Sequence, residues 1–294
     1  MSARNLVVTG ASGHLGRRIL ELAIEAGVAD RLIAITRNPA KLAEFAAKGI
    51  EVRAGDFEDE AGLVKAFSGG ERVLVISTDA LDRPGRRFDQ HSVAISAAKK
   101  AGAKHVLYTS LTKADTSTLS LAPDHLATEK VLANAGIGYT ILRNNWYAEN
   151  FIQGIAHALP AGQWYGSGEN GAVNIITRDD CARAALAALL ANDTGAKQIF
   201  EIGGDEALTY SDVAKLVSEV TGKPLVYVSI PGEALRGALT SAGLPGFVVE
   251  LLVTADEGIA RGDLALSSPD FKKLSGKTPT STRAFLSAHR AQLG

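Results

Sequence analysis

Short apolar runs alternate with helical patterns through the first half of this 294-residue chain, and a glycine turn joins the first run to the first helical pattern. Both features predict an α/β protein built on a doubly wound, Rossmann-type parallel sheet. A smaller, interleaved α/β lobe is predicted toward the C-terminus. Strands are expected at residues 6–9, 32–36, 51–54, 73–76, 104–109, 139–143 and 198–202, and helices at 40–48, 58–67, 86–100, 124–135 and 179–190, with a further helix opening after the glycine turn. Residues 154–170 carry Pro160, Gly162, Gly166 and Gly168 and read as loop with a short strand. A helix at 210–220, a strand at 225–230 and a mostly helical stretch to 261 follow. The division expected is a nucleotide-binding domain at 1–150, to which 171–204 returns, and a substrate-side lobe from 151–170 and 205–294. The polar stretch between Ser110 and Pro123 is too long for a simple connection and predicts a flap.

The glycine turn carries the chemistry. Gly10, Gly13 and Gly16 fall three residues apart, between the apolar Leu6–Val8 and the helical spacing of Ile19, Leu20, Ala23 and Ile24. Gly10 permits a sharp turn, Gly13 leaves room for a pyrophosphate, and Gly16 lets the helix approach the strand. Amides and dipole at the helix N-terminus then face the phosphates; the alternative is a tight strand-to-helix turn that binds nothing. Ligands of such sheets bind beyond the strand C-termini, where Gly10, Ala11, Ser12, Gly13, His14, Leu15 and Gly16 would emerge with Arg37, Asp56, Ser77 and Ser110. A site for NAD has an acid at the end of the second strand. Here Ile35, Thr36 and Arg37 stand there, and the arginine suits a 2′-phosphate. NADPH is the cofactor expected, unless Arg37 is simply an exposed loop residue. Asp56 either borders the adenine or caps the following helix.

Composition narrows the partners. Apolar residues make up 46% and charged residues 21% of the chain, with a formal net charge of −1, which argues against disorder and against a nucleic-acid footprint. Small-molecule partners are expected. A single cysteine, Cys181, rules out an intramolecular disulfide and suggests a reducing compartment. With no signal-type apolar core after the first residues and no run long enough for a bilayer, the expectation is a cytoplasmic protein without a membrane span. The six histidines show no metal-ligand spacing, and no metal is expected.

The acid of ordinary short-chain reductases is missing. They use a tyrosine with a lysine four residues on, whereas this helix has His125 and Glu129 at that spacing. Glu129 either orients the imidazole or forms an exposed ion pair. Ser110 occupies the strand-end serine position. After the sixth strand, Asn144, Asn145, Trp146, Tyr147 and Asn150 concentrate amide and aromatic groups, suited to a planar ligand or to packing between lobes.

Several segments together resemble a known family: Gly10-Ala-Ser-Gly-His-Leu-Gly16, Thr36-Arg-Asn-Pro39, Tyr108-Thr-Ser110, His125-x-x-x-Glu129-Lys130, Leu142-Arg-Asn-Asn-Trp-Tyr-Ala-Glu-Asn150 and Phe271-Lys-Lys-Leu-Ser-Gly-Lys-Thr-Pro279. These are similar to the NmrA-like atypical short-chain dehydrogenases, above all to the bacterial NADPH-dependent quinone oxidoreductases that use neither flavin nor metal. Triphenylmethane-dye reductases are close relatives. The likeness implies that the glycine loop, Arg37, Ser77 and Thr78 border NADPH and that Asn145, Trp146 and Tyr147 border a quinone. Water, Tyr147 or His125 would supply the proton. The family also includes NADP-binding redox sensors without turnover, so a sensor is the competing expectation.

Overall fold

Leu6–Val8 (β1) is an inner strand, third of seven, in the main sheet of the computed structural model, which describes residues 5–294. The chain continues through α1 (His14–Glu25), β2 (Leu32–Thr36), α2 (Ala43–Ala46), β3 (Glu51–Ala54), α3 (Glu60–Ala66), β4 (Arg72–Val75), α4 (Arg86–Lys100) and β5 (His105–Leu111). Then come α5 (Ala122–Ala133), β6 (Gly138–Asn144), α6 (Glu149–Ala158), β7 (Gln163–Gly166), β8 (Ala172–Asn174), α7 (Arg178–Leu190) and β9 (Lys197–Ile202). The remainder is β10 (Ala207–Thr209), α8 (Tyr210–Thr221), β11 (Val226–Ser229), α9 (Gly232–Ser241), α10 (Gly246–Arg261), α11 (Asp270–Ser275), α12 (Thr282–Ala288) and α13 (Arg290–Leu293).

Seven strands form one sheet in the order β3-β2-β1-β4-β5-β6-β9, the doubly wound arrangement with its reversal beside β1. Val8 aligns with Ala34 of β2 on one side and Leu74 of β4 on the other, all running parallel. Both faces are covered, so the middles of these strands are apolar: Val7, Ile33, Val73 and Tyr108 are buried in one core with Phe67 of the α3 C-terminus and Ala94 of α4.

The chain separates into two compact units. One contains the chain to Ser110, Asp124–Arg143 and Cys181–Phe200; the other contains Leu111–Pro123, Asn144–Asp180 and Glu201–Gly294. The second has its own core, in which Trp164 stacks on Tyr210 with centroids 4.6 Å apart and Phe151 meets both edge-on. Two small sheets, β10 with β8 and β11 with β7, complete it.

Three local expectations are corrected. The helix expected at 40–48 is a short 3-10 turn, Pro39–Leu42, followed by the single turn α2. The loop expected from 154 is instead the second half of α6, because Phe151 and Ile155 bury one helical face and Gly154 sits where a side chain would meet nothing. The stretch predicted as a flap is pinned: Ala114, Leu119 and Ala122 are buried, Thr118 donates to Asp263 Oδ2 at 2.8 Å, and the Ser120 amide donates to Thr254 Oγ1 at 3.1 Å. Side chains of Asp263 and Thr254 thus hold the stretch in place, while Asp115, Thr116, Thr118 and Ser120 stay exposed.

Candidate functional site

In the first unit, the three glycines of the β1–α1 loop differ in what they do. Gly10 adopts a left-handed conformation, φ +58°, which a larger residue rarely takes. A Cβ on Gly16 would lie 2.4 Å from the Gly10 carbonyl oxygen, so the approach of α1 to the loop requires glycine there. Gly13 is exposed, with an ordinary extended backbone, and a Cβ would meet only the Gly10 oxygen at 3.3 Å. Gly13 is the α1 N-cap and offers no capping side chain, and the first turn carries no acid. The amides that open this helix have no intrahelical carbonyl, and with the helix dipole they can hold an anion. Ala11 and Leu15 are buried beneath the loop, Ser12 is half-buried and His14 is exposed.

Beyond the ladder, threonines join neighbouring strand ends. Thr9 after β1 donates to the Leu74 carbonyl at 3.0 Å and accepts from the Ile76 amide at 3.0 Å. Thr109 of β5 accepts from the Ser77 amide at 2.8 Å and donates to Ser77 Oγ at 3.2 Å. Thr36, the last residue of β2, donates to Ser12 Oγ at 2.9 Å. Ser12, Ser77, Thr78 and Arg37 thus follow the C-terminal ends of adjacent strands in one sheet, with Arg37 exposed. The Thr78 backbone is held on both sides by α4, its amide donating to His91 Nε2 at 3.0 Å and its carbonyl accepting from Arg87 Nε at 2.7 Å. Thr78 Oγ1 is buried and has no hydrogen-bond partner among the described residues. Asp56, exposed after β3, accepts from the Glu58 amide at 3.0 Å, while the cap of α3 is Asp59, which accepts from the Gly62 amide at 2.9 Å. The capping alternative for Asp56 is therefore corrected.

The pairing expected between His125 and Glu129 is absent. Glu129 is instead gripped by Arg143, whose Nε and Nη2 donate to its two oxygens at 2.9 and 2.7 Å, and it accepts from Ser110 Oγ at 2.6 Å. Helical spacing placed the two residues on one face of α5, but β6 supplies a guanidinium fork that matches a carboxylate better than an imidazole does. Nor is the glutamate exposed: Glu129 and Arg143 are both buried. His125 Nε2 faces Arg87 Nη2 at 2.8 Å and its Nδ1 faces the Tyr108 hydroxyl at 2.8 Å. Since arginine only donates, Nε2 accepts, and the proton of the neutral ring sits on Nδ1. Burial, with Arg87 and then His91 adding to it, holds His125 well below the usual imidazole range. His91 falls to about 3, through burial first and Arg87 second, and burial pushes the Tyr108 hydroxyl up.

The residues expected at a planar ligand lie in the second unit. Trp146 is only 7% exposed and is part of that unit's core. Asn145 is buried too; its Nδ2 donates to the Leu264 carbonyl at 3.0 Å and its Oδ1 accepts from the Trp146 amide at 2.7 Å. Tyr147 is half-buried, accepts from Asn144 Nδ2 at 3.0 Å, and has the Arg178 guanidinium 5.1 Å above its ring. Of the three, Tyr147 alone combines partial exposure with a polar tip.

Among the described residues no group of three or more His, Cys, Asp or Glu side chains could hold a metal, and no helix is long and apolar enough to cross a membrane. Residues 2–256 match the NmrA-like family. The chain belongs to that family. Quinone oxidoreductase 2 of Escherichia coli is 39% identical to it over 284 residues, 97% of this chain and 98% of that protein. The structure of that NADPH-dependent enzyme complexed with NADPH superposes with a TM-score of 0.91 at 38% identity, over 96% of this chain and 98% of that one. The NADP(H) complex of triphenylmethane reductase from Citrobacter sp. gives 0.90 at 31% identity, over 97% and 99%.

Sequence reasoning missed Arg87, His91, Arg143 and the threonines. Thr9, Thr36 and Thr109 did leave a signal, since each is a β-branched polar residue at or next to the end of an apolar strand. The two arginines left none, because a buried arginine and an exposed one look alike in sequence.

Proposed function

We propose that this NmrA-like protein is an NADPH-dependent quinone reductase, which converts a quinone to the hydroquinone by addition of one hydride and one proton. The observation that carries the reading is the exposed glycine cradle at Gly13 beside Arg37, with no acid at the end of β2. The residues fit the cofactor: Gly13 is exposed and carries no side chain over the loop, and Thr78 Oγ1 is a buried hydroxyl without a partner among the described residues. When bound, NADPH supplies the hydride. The loop from Gly10 to Gly16 holds the pyrophosphate, with His14 and Leu15 giving backbone amides and Ala11, tied to the Ile35 carbonyl, fixing the path of the loop. Arg37 and Ser12 take the 2′-phosphate, Asp56 borders the adenosine, and Ser77 and Thr78 line the path from ribose to nicotinamide. Ser110 gives its proton to Glu129 and so offers the cofactor an acceptor.

The quinone lies against Tyr147, which Asn145 and Trp146 support from within their own core. Hydride addition to a quinone yields an aromatic phenolate, a far better anion than the alkoxide of a simple ketone, so no strongly placed acid is required. The residues agree with that economy. Ser110 has committed its proton, and His125, neutral and engaged at both nitrogens, is a positioning residue that holds Arg87. The final proton comes from water or Tyr147. We place the enzyme in the cytoplasm, where its single cysteine, Cys181, buried in α7, stays reduced.

Anaerobic mixing with NADPH and a set of benzo- and naphthoquinones, followed by NADPH absorbance, tests the assignment. Oxidation over many turnovers is expected. Tight binding without turnover would make the protein an NADP(H) sensor, and oxidation by triphenylmethane dyes alone would move the acceptor class.

A further inference from the structure

The geometry points to Thr36 as the residue that turns Ser12 into a hydrogen-bond donor for the 2′-phosphate and thereby selects NADPH over NADH, an inference that rests on the NADP site proposed above. Thr36 is buried at the end of β2. Its Oγ1 accepts from the Asn38 amide at 3.3 Å and donates to Ser12 Oγ at 2.9 Å. A buried hydroxyl must find an acceptor for its one proton, and among the described residues Ser12 Oγ is the acceptor that Thr36 Oγ1 reaches, the Asn38 amide being a donor. Ser12 already accepts on that side, so its own proton points away from Thr36.

The sign of this arrangement matters. A site for NAD ends β2 with a carboxylate, an acceptor matched to the 2′-hydroxyl. A serine forced to donate, next to an exposed arginine, matches an acceptor instead, and a phosphate is the acceptor that distinguishes the two nucleotides. Thr109 and Ser77 repeat the device on the other side of β1: Thr109 accepts the Ser77 amide and donates to the Ser77 hydroxyl. The loop does not depend on Thr36 for its place, because the Ala11 amide donates to the Ile35 carbonyl at 3.1 Å. Replacing the threonine hydroxyl by a methyl group therefore removes the direction of the Ser12 proton and the acceptor of the long Asn38 N–H contact, while the Ala11 amide still ties the glycine loop to β2.

Titration of Thr36→Val, Thr36→Ser, Ser12→Ala and the Thr36→Val/Ser12→Ala double variant with NADPH and with NADH, by nucleotide fluorescence, tests this, with thermal unfolding as the check on fold. Thr36→Val is expected to raise Kd for NADPH about three- to tenfold, the usual worth of one well-aligned hydrogen bond, and to leave Kd for NADH unchanged. Thr36→Ser should restore NADPH binding, and the double variant should bind no worse than Ser12→Ala alone, since both changes remove one interaction. An equal rise for both nucleotides, no rise for either, or additive losses in the double variant would overturn the role of Thr36. Equal affinity of the unmodified protein for NADPH and NADH would instead overturn the NADP assignment beneath it.

Discussion

The β1–α1 loop and the cluster between α4, β5 and α5 are both polar regions of one unit, yet they use their polar groups in opposite ways. The loop presents backbone amides and an exposed Gly13 outward, and little in the fold occupies the space there. In the cluster, Arg87, His91, Tyr108, His125 and Thr128 turn inward and bond one another, while Ser110, Glu129 and Arg143 form a second buried set. A histidine and a glutamate at helical spacing suggested chemistry, but their partners make them structure. Residue type proposes a role; the groups that claim its protons and lone pairs decide it.

The largest effect expected from that contrast concerns two glycines of one loop. Gly13→Val should weaken NADPH binding by about a hundredfold or more, through loss of charge-assisted contacts to phosphate, with only a small loss of thermal stability from the poorer N-cap. Gly16→Ala should lower the melting temperature, because its Cβ would lie 2.4 Å from the Gly10 oxygen. A Gly13→Val protein that binds NADPH normally would move the cradle elsewhere. Next in size, Arg37→Asp should cost roughly ten- to a hundredfold in NADPH affinity and erase or reverse the preference over NADH, as measured by the two dissociation constants.

Acid addresses the inward cluster. His91 and His125 have folded-state affinities for protons far below that of a free imidazole. Above about pH 6.5 neither state binds the proton, and below it the unfolded chain gains protons that the folded chain refuses. Stability should therefore fall as pH drops from about 6.5 toward 3, by up to about 1.4 kcal/mol per pH unit for each of the two imidazoles. Urea titrations at pH 7, 6, 5 and 4.5 read this slope, and His91→Asn should make it shallower. An unchanged slope in that variant would mean that His91 titrates freely.

The difference between the two regions also marks what could be read in advance. The sheet was legible because strands buried on both faces are apolar throughout and helices between them repeat their apolar residues, as Val73–Val75 and Ile19, Leu20 and Ala23 do. The glycine loop was legible because glycine spacing reports backbone directly. The partners of His125 were not, since Arg87 lies 38 residues away and only the fold brings it near. Helix α6 was misread for a local reason: Pro160 and the glycines at 162, 166 and 168 suggested loop, while the burial of Phe151 and Ile155 carried the helix past 154. Trp146, read either as a wall for a planar ligand or as packing, lies in the core of the second unit. Its replacement by alanine is now expected to cost stability before it costs affinity.

The central claim is that the chemistry proceeds without a dedicated acid, and paired acceptors in one preparation test it directly. Turnover of a 1,4-naphthoquinone and of an aryl ketone of similar size, both with saturating NADPH, should differ sharply: the quinone is reduced and the ketone stays inert, since a placed proton donor is worth about 10²–10⁴-fold for the ketone and little for the quinone. Tyr147→Phe should lower quinone turnover by less than about tenfold in the same assay. Robust ketone reduction, or a loss near a thousandfold on removing the Tyr147 hydroxyl, would contradict the account and show that a dedicated acid exists.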